Sequence, residues 1–158
     1  MRLILLATVG LATLACDGGR PDQFIELHGQ WADGQAIDFF QEAVLSENES
    51  GRIILAASDS LRPRFLGVRI DYDPTLVAGP GPYVGAATET GPVVLHVLRS
   101  VDQYAAAEYF VKNAAFDFTS LPTESSPILA GTLGAVNFIF DGAPVLAVKD
   151  GAFRGVRR

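Results

Sequence analysis

The chain has one cysteine and two histidines, so thiol, imidazole or metal chemistry must be built on Cys16, His28, His96 or carboxylates that reach them. His28 is followed by Gly29, Trp31 and Asp33, a set that can be drawn as the wall of a ligand pocket or the edge of a metal site. The plainer reading, which we prefer, makes His28 a polar strand residue and packs Trp31 against a sheet rim. His96 lies within Val93-Val94-Leu95-His96-Val97-Leu98, where alternation puts it on the face opposite Val93, Leu95 and Val97. A hydrogen-bonded structural histidine is expected there, and no H-x-x-x-H or H-E-x-x-H spacing exists. Asp71-Tyr72-Asp73 places two carboxylates on the same side of a strand end, about 7 Å apart at Cα by strand rise. With loop oxygens these two could hold calcium, but nothing resembles an EF-hand loop, and a solvated strand end is the default. Serine hydrolysis would need a nucleophile, a base and an orienting acid, usually on a G-x-S-x-G turn. That turn is missing, and Ser58, Ser60, Ser125 and Ser126 sit in stretches of turn composition. There is no phosphate-cradling loop or dinucleotide fingerprint. The weight is against an enzyme, and no metal or cofactor is expected.

Cys16 is the better-defined feature. Arg2 precedes an apolar run from Leu3 to Leu14, too short to span a bilayer comfortably as a permanent helix and flanked like an export signal. Ala12-Thr13-Leu14-Ala15-Cys16 resembles the lipobox of bacterial lipoproteins, with Thr13 replacing the usual Leu or Val. The resemblance implies cleavage after Ala15, with the Cys16 sulfur carrying diacylglycerol. The alternative is ordinary cleavage that leaves a free thiol, awkward in an oxidising compartment. With Cys16 lipidated, cysteine-built zinc sites, disulfides and thiol nucleophiles are excluded. Two or three acyl chains hold a protein far more firmly than one, at about 0.8 kcal/mol per buried methylene. The resemblance therefore implies a membrane anchor through the N-terminal lipid and a domain outside the cytoplasm. Inner and outer membranes both stay open, although Asp17 after the cysteine would imply inner-membrane retention in enteric bacteria.

The expected organisation is a signal peptide over 1–15, a lipidated cysteine and flexible tether over 16–23, and one domain over 24–158. The formal net charge of −6 grows more negative when Arg2 leaves, which argues against nucleic acid and against an electrostatic grip on anionic lipid.

Hydrophobic alternation then lays out the domain. Strands are expected from Phe24, over Ile37 to Leu45, over Arg52 to Ala57 after a hairpin loop at 46–51, and over Phe65 to Tyr72. The Gly79-Pro80-Gly81-Pro82-Tyr83 segment is too poor in backbone donors for central sheet and delivers Tyr83 into the next strand. Further strands cover Val93 to Leu98 and Ala115 to Leu121. Ser100-Val101-Asp102-Gln103 has the form of a capping box, predicting a short helix near 101–108. Gly131 to Phe140, Val145 to Lys149 and Ala152 to Val156 read as a three-stranded meander with turns at Asp141-Gly142 and Asp150-Gly151. In it Val136, Phe138 and Phe140 share one face. Eight to ten short strands and at most one helix make an all-β, mainly antiparallel domain, a β-sandwich or open barrel.

Pro82-Tyr83 after a glycine-rich loop, Gly131-Thr132-Leu133, and the closing Asp150-Gly151-Ala152-Phe153 resemble motifs of small bacterial envelope lipoproteins of unknown function. The resemblance implies a β-sandwich and assigns no activity. Two functions therefore stand. One is a non-enzymatic binding or structural role toward an envelope protein partner, with Trp31, Tyr72 and Tyr83 as aromatic anchors and His28 beside them. The other is a small-ligand or glycan-binding lipoprotein, with weak hydrolase activity at most, using a cavity between the sheets.

Overall fold

The computed structural model describes residues 21–59, 65–100 and 106–157. Cys16 and Ala15 lie outside them. Twelve strands form two antiparallel sheets, and no helix occurs among the described residues. One sheet runs in the order β2 (Ala36–Glu42), β1 (Phe24–Trp31), β12 (Ala143–Val156), β10 (Ile128–Leu133), β9 (Ala115–Ser120), β6 (Gly81–Val84), and β11 (Val136–Phe140) also pairs with β12. The other runs β3 (Val44–Glu47), β4 (Ile53–Asp59), β5 (Leu66–Tyr72), β7 (Val93–Ser100), β8 (Ala106–Phe110). Neither sheet closes on itself, so the architecture is a β-sandwich, with more strands than the eight to ten expected.

The chain passes between the sheets at Ala43, which is buried and donates its N–H to the Gln23 carbonyl at 3.1 Å. That crossing splits the segment expected as one strand over 37–45: Ile37 and Phe39 face the core from β2, and β3 begins the second sheet. The space between the sheets is filled. Phe116 and Phe118 stack at 5.9 Å, Phe153 meets Phe118 edge-on at 5.4 Å, and Tyr72 reaches Phe118 from the opposite sheet at 5.6 Å. Aromatic pairs of this geometry add to area burial and leave little room for a ligand between the layers.

Three expectations are corrected. Residues 106–110 form strand β8, not a helix, while 101–105 fall outside the described residues. Alanine-rich helix propensity is a weak prior, and here β8 pairs with β7 from Ser100↔Ala106 to His96↔Phe110. Asp150-Gly151 is no turn, because β12 continues through it for 14 residues, paired with β1 on one side and β10 on the other. A Cβ on Gly151 would lie 2.6 Å from the Glu26 carbonyl oxygen, so this glycine serves close packing of strands. At Asp141-Gly142 the turn does form, with positive φ of 52° and 77°, as a two-residue hairpin of type I′ requires. Phe140, expected on the core face beside Val136 and Phe138, is 60% exposed, because a register shift after Phe138 breaks the alternation.

Candidate functional site: a buried charge cluster on the five-stranded sheet

Strand alternation sets the site. On β5, Val68, Ile70 and Tyr72 face the core, which turns Arg69 and Asp71 to the outer face. Register then brings His96 of β7 opposite Arg69 and Phe110 of β8 opposite His96, and pairs Ile53 with Tyr72, so Arg52 arrives beside Asp71. Asp71 is fully buried although it points away from the core. Arg52 Nη2 donates to its Oδ1 at 2.9 Å and Arg69 Nη2 to its Oδ2 at 2.6 Å. His96 Nε2 lies 3.3 Å from Oδ2, close enough for charge interaction but off hydrogen-bond alignment. The other ring nitrogen, Nδ1, is 3.1 Å from Glu108 Oε1, and Phe110 covers the ring at 4.6 Å.

Burial pushes the Asp71 carboxyl up, but the contacts from His96, Arg52 and Arg69 together outweigh it and hold the group below its ordinary value of 3.8. Asp71 is thus a carboxylate whose desolvation is compensated by two guanidiniums and an imidazole. His96 has a carboxylate on each side, yet the arrangement is not that of a general base. The side chain is 3% exposed and both nitrogens face carboxylates, so none is free to take a proton from a substrate.

The calcium expectation at Asp71 and Asp73 does not suit this geometry. Both Asp71 oxygens are engaged by cationic side chains. Asp73 Oδ1 accepts from the Thr75 N–H at 2.9 Å and its hydroxyl at 2.6 Å, bonds that draw its carboxyl below the ordinary value. Among the described residues no three His, Cys, Asp or Glu side chains converge as a metal site.

His28, Trp31 and Tyr83 are not brought together. His28 is on the outer face of the seven-stranded sheet, 35% exposed, with Nε2 at 3.1 Å from Glu26 and Nδ1 at 3.1 Å from Asp38. Trp31 is 5% exposed at the sandwich rim, under the Arg99 guanidinium at 4.4 Å and beside Tyr109. Arg99 donates to Asp33 Oδ2 and Gln35 Oε1, each at 2.7 Å, and the Arg99 bond lowers the Asp33 carboxyl. An open cleft of about 550 Å³ lies there, lined by Trp31, Asp33, Asp59, Phe65 and Arg99 among others. Tyr83 is on β6, with β12, β10 and β9 between it and β1, and its hydroxyl donates to the Gly79 carbonyl at 2.9 Å. Trp31 is a rim packing residue, as the plainer reading expected.

No protein-family model, curated protein or solved structure matches this chain. The geometry must therefore speak for itself. Sequence reasoning singled out Asp71 and His96 but missed Arg52, Arg69 and Glu108. A signal existed in Arg69-x-Asp71 on the polar face of an alternating strand. Pairing it with His96 requires the β5–β7 register, which alternation alone does not supply.

Proposed function

We propose that this chain is an exported bacterial lipoprotein, anchored through lipid on Cys16, whose β-sandwich binds a partner in the cell envelope without doing chemistry on it. The observation that carries the reading is the lone cysteine at the end of a short apolar leader, eight residues before β1. The architecture supports it in two ways. The two histidines have both ring nitrogens turned to carboxylates, which leaves no poised base. The aromatic filling between the sheets leaves binding to the outer faces and rims.

Crosslinking in intact envelopes tests the reading. Wild type should yield a discrete crosslinked species in the membrane fraction, and Cys16→Ala should lose both the species and the membrane association. Equal crosslinking and equal membrane retention by Cys16→Ala would overturn it. The small-ligand reading survives in altered form, since a polar depression lies over Asp71 on the outer face of the five-stranded sheet.

A further inference from the structure

That depression encloses about 340 Å³ and is lined by Asn48, Ser50, Arg52, Arg69, Asp73 and Glu89, with Thr90 at its edge and Asp71 beneath. Every one of these side chains forms hydrogen bonds, and none is aliphatic or aromatic, so an apolar ligand has nothing to displace water against. Charge narrows the field further. Two guanidiniums face the three carboxylates of Asp71, Asp73 and Glu89, leaving one net negative charge. An anion would meet that excess, and a metal ion would meet Arg52 and Arg69.

A second observation marks the place as more than a polar surface. Arg52 is 9% exposed, and each guanidinium reaches Asp71 through Nη2 while its buried Nε–H has no acceptor. Orphaned buried donors are uncommon in folded proteins and call for a partner. Asp73 meanwhile keeps Oδ2, 4.0 Å from Arg52 Nη1 and beyond hydrogen-bond reach, as an acceptor. Unused donors and an unused acceptor over one small depression suit a ligand whose groups both accept and donate and which carries no charge.

We infer that the depression over Asp71 binds a neutral sugar, with hydroxyls accepting from Arg52 and Arg69 and donating to Asp73 and Glu89. This goes beyond the lipid-anchor reading and does not depend on it, since sugar binding should persist in Cys16→Ala.

The test is titration of the ¹⁵N-labelled full chain with glucose, galactose and N-acetylglucosamine, following the arginine Nε–H resonances, with inorganic phosphate as the charged control. At least one sugar should shift the Arg52 and Arg69 resonances saturably, with a dissociation constant on the order of 1 mM. Arg52→Lys should abolish the effect. Glu89→Gln, at an exposed rim position and not expected to disturb folding, should weaken binding about threefold, the loss of one hydrogen bond. Arg154→Lys, on the other sheet, should leave it unchanged. Resonances that ignore all three sugars, respond to phosphate alone, or respond equally in Glu89→Gln would overturn the assignment.

Discussion

The two histidines make the same local arrangement in opposite surroundings. His96 and His28 each stand between two carboxylates on the outer face of a sheet, with nitrogen to oxygen distances of 3.1 to 3.3 Å. At His28 the ring is 35% exposed and Asp38 is 86% exposed, so water screens both partners. At His96 the ring is 3% exposed, Asp71 is 1% exposed, and two arginines complete the set. Contacts that match in distance therefore differ in consequence. Exposed pairs contribute little, whereas breaking a buried set strands a charge without solvent. The five-stranded sheet has an ionic layer built into its outer surface, and the seven-stranded sheet has ordinary surface pairs.

Asp71→Ala should open the widest gap between the two clusters, because Arg52 and Arg69 lose their shared acceptor. Chemical denaturation should show a loss of about 3–5 kcal/mol. His96→Ala comes next, at about 1–3 kcal/mol, through unpaired Glu108 and lost packing on Phe110. His28→Ala should stay within about 0.5 kcal/mol of wild type; a loss equal to that of His96→Ala would mean that burial is not what separates the two sites. Acid sharpens the contrast. The Asp71 carboxyl titrates below 3.8 in the folded chain, so its contribution is complete above that value and fades as pH falls through the lower folded value. Asp71→Asn should remove that part of the acid limb, and an unchanged limb would count against the cluster.

A second pairing inside the molecule shows how far the sequence could be read. Asp141-Gly142 and Asp150-Gly151 are the same dipeptide with the same expectation of a turn, and only the first turns. Nothing local separates them. Gly151 is fixed by the strands on either side of it, through the carbonyl of Glu26 and the side chain of Leu133. Gly151→Ala should therefore cost about 1–3 kcal/mol by forcing strands apart, and Gly142→Ala about 1 kcal/mol through positive φ alone. The same distinction runs through the fold. Alternation made β1, β5 and β7 legible, and the proline-rich Gly79 to Tyr83 segment was legible as non-central, since β6 ends its sheet. Features set by pairing partners were not legible: β8 in place of a helix, the register shift that exposes Phe140, and the company of Asp71.

Intact-mass spectrometry of the membrane-purified chain tests the central claim most directly. The account predicts a polypeptide beginning at Cys16, heavier than its sequence by a diacylglyceryl group with or without an amide-linked acyl chain. A chain of unmodified mass, beginning at Met1 or at Cys16 with a free thiol, would contradict it.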